Sequence, residues 1–185
     1  MTNKNLFKNV FMKASVSIIA VVISMASFTS YNKIGISAIS SIDEGIYTIY
    51  SSLSDDKVLD ITERSTSNGT NIELYTVNNS VAQIFRLNYE GNDYYNIQMA
   101  STSNMVLDVS GGEGYSGCNV ILHEYNGGDN QLWKFVSTGN DDEYYIVSKT
   151  GYYLDVAGAK KSDKTNIQVY SQNKSNAQKF KIKLH

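Results

Sequence analysis

The chain has 185 residues, 42% of them hydrophobic and 18% charged, with 14 tyrosines, 13 glycines, one cysteine and no proline. That length holds one ordinary domain and excludes most multidomain enzymes. The apolar fraction is too high for a disordered chain and too scattered for a polytopic membrane protein, and the net charge of −2 offers no basic excess.

Residues 1–41 read as an export leader with a short linker. Lys4, Lys8 and Lys13 flank the apolar run Ala14–Ala26, and small residues follow it, the pattern of a secretory signal peptide. Crossing a bilayer as a helix takes roughly 20 apolar residues, so a membrane anchor is the weaker reading of this shorter run. Cleavage falls either after Ala26 or nearer Ala38. No cysteine directly follows the run, which argues against a lipid anchor. A secreted, extracellular protein is expected, with no membrane insertion after cleavage.

Residues 1–41 contain four lysines and no acid, so residues 42–185 carry 12 basic and 18 acidic groups. Nucleic acid and anionic lipid both demand a basic surface, and neither is expected as a partner. A domain of this size buries roughly 68–70% of its unfolded surface without disulfides. Cys118 has no second cysteine to pair with; it is read as a small buried hydrophobe, the other use being an intermolecular disulfide.

Residues 42–185 carry an internal threefold repeat. Leu59-Asp60-Ile61, Leu107-Asp108-Val109 and Leu154-Asp155-Val156 are spaced by 48 and 47 residues. Twelve residues after each Leu comes an asparagine opening an alternating run: Asn71-Ile72-Glu73-Leu74-Tyr75, Asn119-Val120-Ile121-Leu122-His123 and Asn166-Ile167-Gln168-Val169-Tyr170. Twelve further on stand Gln83-Ile84-Phe85, Gln131-Leu132-Trp133 and Gln178-Lys179-Phe180. A Tyr-bearing strand opens each copy, at Ile46–Ile49, Tyr94–Ile97 and Tyr144–Val147. The copies span about 44–88, 89–136 and 137–184.

Turn-rich segments such as Ser67-Asn68-Gly69, Gly111-Gly112-Glu113-Gly114 and Asn126-Gly127-Gly128-Asp129 divide each copy into about four short strands. No helical periodicity is sustained outside the leader. Three copies are too few for a propeller, and equivalent copies without caps do not suit a solenoid. An all-β fold is expected: a β-trefoil of twelve strands about a pseudo-threefold axis.

The recurring Leu-Asp-Val, Asn-opened strand and Gln-x-aromatic resemble the ricin-type β-trefoil lectins, also called QxW domains, which serve as carbohydrate-binding modules. The resemblance runs over about residues 44–184. Only the middle copy has Trp133 in the last motif; Phe85 and Phe180 replace it elsewhere, and the cysteines that clip many family members are missing.

Strand parity gives a physical reason for sugar binding. With Leu59 and Ile61 inward, Asp60 points outward; with Ile72 and Leu74 inward, so does Tyr75. The same parity exposes Asp108 with His123 and Asp155 with Tyr170, always fifteen residues apart. A carboxylate accepts two vicinal hydroxyls at once, and a ring covers the apolar C–H face of a pyranose. An Asp that merely braces a turn, beside a common surface Tyr, is the competing reading. Phe85, Trp133 and Phe180 are expected in the core, with Gln83, Gln131 and Gln178 bracing turn backbones and Gln131 counted also in the middle site.

The family pattern implies an amide or imidazole eighteen residues after the Asp and an asparagine twenty-two after it. This chain has Asn78, Asn126 and Asn173 at the first position, and Ala82, Asn130 and Ala177 at the second. The middle copy thus keeps Asp108, Asn126 and Asn130 but has His123 for a larger ring, with Tyr125 a rescue of uncertain direction. The outer copies keep Tyr75 and Tyr170 but lack the second amide.

Catalysis is not expected. The two histidines, His123 and His185, lie far apart and suit no triad. No His/Cys grouping has zinc spacing, and no cofactor is expected. The runs Asp55-Asp56 and Asp141-Asp142-Glu143 read as solvated hairpin loops without the calcium-loop pattern. The expected function is a secreted lectin with up to three weak sites, acting alone or delivering a separate toxin or enzyme subunit to glycans. The resemblance implies galactose-type or xylan-like sugars. A trefoil acting by protein contact, as a protease inhibitor or toxin-complex component, is the alternative.

Overall fold

The computed structural model describes residues 42–185; the leader expected over residues 1–41 lies outside them. Twelve strands follow one another: β1 (Gly45–Ser51), β2 (Lys57–Ile61), β3 (Thr70–Thr76), β4 (Phe85–Gly91), β5 (Tyr94–Met99), β6 (Met105–Val109), β7 (Cys118–Glu124), β8 (Trp133–Ser137), β9 (Glu143–Ser148), β10 (Tyr153–Val156), β11 (Thr165–Tyr170) and β12 (Lys179–Leu184). Among the described residues the only helical pieces are three-residue 3₁₀ turns.

Two closed rings of antiparallel pairing account for every strand. The first and fourth strands of each copy form a barrel, β1–β4–β5–β8–β9–β12 and back to β1. The second and third form hairpins β2–β3, β6–β7 and β10–β11. Those hairpins join through β3–β7, β7–β11 and β11–β3. Among the described residues, closure of both rings leaves no open sheet edge to recruit another chain.

The core follows the alternation. Leu59, Ile61, Ile72 and Leu74 are fully buried, as are Leu107, Val109, Val120 and Leu122 in the middle copy and Leu154, Val156, Ile167 and Val169 in the third. Each such side chain contributes about 1.5–3 kcal/mol on burial. Phe85, Trp133 and Phe180 are fully buried at the starts of β4, β8 and β12. The Trp133 indole N–H also donates to the Leu107 carbonyl at 3.1 Å, tying barrel to hairpin.

Cys118 is buried at the start of β7, its thiol 3.0 Å from the Ser110 carbonyl. Asp55, Asp56, Asp141 and Asp142 are exposed in turns, but Glu143 departs from the solvated-loop expectation. It is 7% exposed and accepts from Ser52 Oγ at 2.7 Å, Asn140 Nδ2 at 2.7 Å and Thr138 Oγ1 at 2.8 Å. As the first residue of β9 it receives Thr138 and Asn140 from the β8–β9 turn and Ser52 from just past β1.

Candidate functional site

Each Leu-Asp-Ile/Val strand forms a hairpin with the next, and the register sets what faces the aspartate. Asp60 stands opposite Glu73, Asp108 opposite Ile121 and Asp155 opposite Gln168. The aspartates leave the core on the side opposite their leucines, as parity requires. They are not exposed, however: Asp60, Asp108 and Asp155 are only 7%, 4% and 4% accessible. The reason lies twenty-three residues downstream, where the 3₁₀ turns Val81–Gln83, Asp129–Gln131 and Asn176–Gln178 fold over that face.

The glutamines of these turns are fixed by several bonds at once. Gln83 Nε2 donates to Asp60 Oδ2 at 2.8 Å and to the Thr76 carbonyl at 3.0 Å, while its Oε1 accepts the Asn78 amide at 2.8 Å. Gln131 repeats this with Asp108 Oδ2, the Glu124 carbonyl and the Asn126 amide. Gln178 bonds the Ser171 carbonyl and the Asn173 amide. Buried amides satisfied on both ends lock the turn that presents the asparagines.

Those asparagines are half committed. The Oδ1 atoms of Asn78, Asn126 and Asn173 accept the backbone N–H of Ser80, Gly128 and Ser175 at 2.8–2.9 Å. Such Asx turns leave each Nδ2 as the group able to donate to a ligand.

Structure brings the ring, the aspartate and the asparagine together in two of the three copies. A pocket of about 420 Å³ is lined by Asp60, Tyr75 and Asn78, with Thr62, Glu63, Arg64, Glu73, Ser80 and Lys164. A second, of about 320 Å³, is lined by Asp155, Tyr170 and Asn173, with Gly158, Ala159, Gln168, Ser175 and Ala177. In the middle copy Asn130 Nδ2 donates to Asp108 Oδ2 at 2.8 Å beside Gln131. The His123 ring is half-buried, with Nδ1 3.1 Å from the Glu124 carbonyl. Tyr125 packs against Glu90 and Asn96 of the β4–β5 hairpin, which settles its direction.

Burial raises all three aspartates above the ordinary carboxylate range. Bonds from Gln83 and the charge of Arg64 oppose this at Asp60; Gln131 and Asn130 oppose it at Asp108, and Gln168 and Gln178 at Asp155. Glu73, itself 7% exposed, is raised by burial and by the repulsion of Asp60 across the hairpin. Carboxylates directly opposite one another on neighbouring strands destabilise a sheet, and the first copy alone has this pair.

Five charged or amide-bearing lining residues lie outside the sequence expectations: Glu63, Arg64, Glu73, Lys164 and Gln168. Their signal was available in the aligned copies, at positions three, four, nine and thirteen after the aspartate. Gln168 fills the thirteenth position in the third copy and donates to Asp155 Oδ1 at 2.9 Å, where Glu73 adds a charge in the first.

The model of the family described as ricin-type beta-trefoil lectin domain-like matches residues 36–123, 81–170 and 129–184. No curated protein matches the sequence. Among solved structures, the designed threefold-symmetric protein ThreeFoil is 34% identical with a TM-score of 0.71, covering 75% of this chain and 97% of its own. An exo-beta-1,3-galactanase from Clostridium thermocellum is 32% identical with a TM-score of 0.72, over 77% of this chain. This chain corresponds to 31% of that enzyme. The Macrolepiota procera ricin B-like lectin, solved with lactose, is 17% identical with a TM-score of 0.65, covering 79% of this chain and all of its own.

Proposed function

Because the chain belongs to the ricin-type beta-trefoil lectin domain-like family, we propose that it is a secreted carbohydrate-binding protein that acts by adhesion and not by catalysis. The observation that carries this reading is the repeated grouping of a carboxylate, a tyrosine ring and an asparagine in one pocket, as Asp60, Tyr75 and Asn78 and again as Asp155, Tyr170 and Asn173.

Each element has a chemical use. The aspartate accepts hydroxyl pairs with charge-assisted strength, the ring covers the sugar's C–H face, and the asparagine Nδ2 donates to a ring or hydroxyl oxygen. Bonds from Gln83 and Gln131 hold the aspartates in one rotamer before any ligand arrives, so little ordering entropy opposes binding. The middle copy trades ring area for a second amide on Asp108.

Single sites of this kind bind a monosaccharide weakly, at about millimolar Kd. Two or three on one rigid body raise retention on a dense glycan by roughly 10²–10⁴ when geometry permits. Galactose-type sugars are the proposed class, with the galactanase relative as the lead. A 42–185 domain delivered by a cleaved leader would act alone or carry a separate toxin or enzyme subunit to glycosylated surfaces.

Affinity electrophoresis in galactan-containing gels tests the reading. The wild type is expected to be retarded, and the Asp60→Asn, Asp108→Asn, Asp155→Asn variant, which keeps an acceptor for the glutamines, is expected to run freely. Equal mobility of the two across a panel of polysaccharides would remove the lectin assignment.

A further inference from the structure

The three copies match without gaps from the aspartate to the asparagine that opens the third strand, so their hairpin turns can be compared residue by residue. Three matched positions have positive φ in every turn, and the middle turn adds Gly114. Three residues after the aspartate stand Glu63 (φ 55°), Gly111 (φ 82°) and Gly158 (φ 63°). Four after it stand Arg64 (58°), Gly112 (88°) and Ala159 (53°). Nine after it stand Gly69 (87°), Gly117 (90°) and Lys164 (66°). Glycine occupies five of these nine positions, as left-handed backbone favours a residue without a β-carbon, and Ala159 is a sixth without charge. The three exceptions are all charged.

All three line the same pocket. Glu63 and Arg64 reach it from the β2–β3 turn of the first copy, and Lys164 from the β10–β11 turn of the third, its amide donating to the Leu74 carbonyl at 2.8 Å. Between them they flank Asp60, Glu73 and Tyr75. The pocket around Asp155 offers no comparable rim: the aspartate is its only charged lining residue. Among the described residues, no ion pair involves Arg64 or Lys164. Strained backbone at a pocket lip is a pointer to ligand contact, and here the strain sets two cations around a sugar-sized opening, Arg64 acting on Asp60 and Lys164 on Glu73 through charge but in no direct ion pair.

We infer that the first pocket is selective for an acidic sugar, a residue bearing a uronate carboxylate or a sulfate ester, with Arg64 and Lys164 taking the anionic group while Asp60 holds hydroxyls. The inference rests on the lectin reading above and assigns different ligands to different copies. Arg64 supplies a planar fork of donors suited to a carboxylate or sulfate, and Lys164 a point charge from the opposite rim. Glu63, on the same turn, works against an anion and tunes the selectivity down. Asp163, next to Lys164, is held by Lys57 Nζ at 2.6 Å and by the Thr76 amide at 2.8 Å, so it does not neutralise the rim.

The test is a glycan array and calorimetry on the full chain, with neutral galacto-oligosaccharides, the same backbones carrying a uronate, the same carrying a sulfate, and a cationic amino-sugar series. The wild type is expected to bind one of the two acidic series about tenfold more tightly than its neutral parent, a preference that falls with added salt. Which series wins identifies the anion. The Arg64→Gly, Lys164→Gly variant restores the residue type used at matching positions of other copies. It should lose the acidic preference, keep neutral binding at the Asp155 pocket, and unfold at a higher denaturant concentration. Glu63→Gln should raise acidic affinity by a few-fold. Equal binding of neutral and acidic series, a preference for amino sugars, or weaker acidic binding in Glu63→Gln would each overturn the inference while leaving the lectin reading in place. Failure to bind any series would defeat the lectin reading itself.

Discussion

Gly128 and Asn130 are matched to each other: a β-carbon on Gly128 would lie 2.5 Å from Asn130 Oδ1. The other copies make the opposite choice, with Ser80 before Ala82 and Ser175 before Ala177 at the same two positions. Room at one position is what lets the amide at the other reach Asp108. Gly128→Ser is therefore expected to swing Asn130 off Asp108 and cost about 1 kcal/mol, the net worth of one hydrogen bond. A urea melt beside that of Asn130→Ala checks this, since the two variants should lose similar stability and the double variant little more.

Gln131 bonds Asp108, the Glu124 carbonyl and the Asn126 amide at once. Gln131→Ala leaves the part-buried Glu124 carbonyl and Asn126 amide without this partner and Asp108 with Asn130 alone, at about 1–3 kcal/mol for each group left without a partner. The midpoint of chemical denaturation should fall accordingly. Glycan retention at the middle site should fall with it, because the turn carrying Asn126 is no longer held.

Acid should separate binding from folding. Burial raises Asp60, Asp108 and Asp155, so the folded protein holds these protons more tightly than the unfolded chain does. As pH drops through the raised values, the destabilisation these groups carry at neutral pH fades. Under the proposed function glycan binding runs the other way, because it needs the ionised acceptor. Retention should therefore decline above the ordinary aspartate range while circular dichroism still reports a folded protein. Retention that persists down to that ordinary range would contradict the assignment.

Glu143 has the opposite sign. Burial pushes its carboxyl up, but donors from Ser52, Asn140 and Thr138 outweigh burial and hold it below the ordinary glutamate value. Its contribution is complete above the unfolded-state value and is lost as pH falls through the lowered folded value. Glu143→Ala should cost roughly 1–3 kcal/mol at neutral pH and less in acid, as denaturation midpoints at the two pH values would reveal.

Trp133→Phe copies the residue found in the other two copies. It should be tolerated, losing about 1 kcal/mol with the bond to the Leu107 carbonyl. Trp133→Ala should cost about 3–5 kcal/mol through the cavity it opens. Thermal unfolding of both variants distinguishes a core filler from a ligand-stacking ring.

The alternation of Leu59, Asp60 and Ile61, repeated twice more, was enough to specify strands, their inward faces and a threefold all-β plan, because side-chain direction in a strand is a local property of period two. The same locality made Gln83, Gln131 and Gln178 legible as turn braces. It also misled. Parity gave the direction of Asp60, Asp108 and Asp155 but not their burial, which depends on a turn folding back from twenty-three residues away. Nor did it announce that Lys164 of the last copy would stand over Asp60 of the first. That neighbour exists because β11 pairs with β3, and pairing between distant strands is set by closure of the hairpin ring and not by any local pattern. The repeats predicted a kind of site; tertiary closure decided which residues line each pocket.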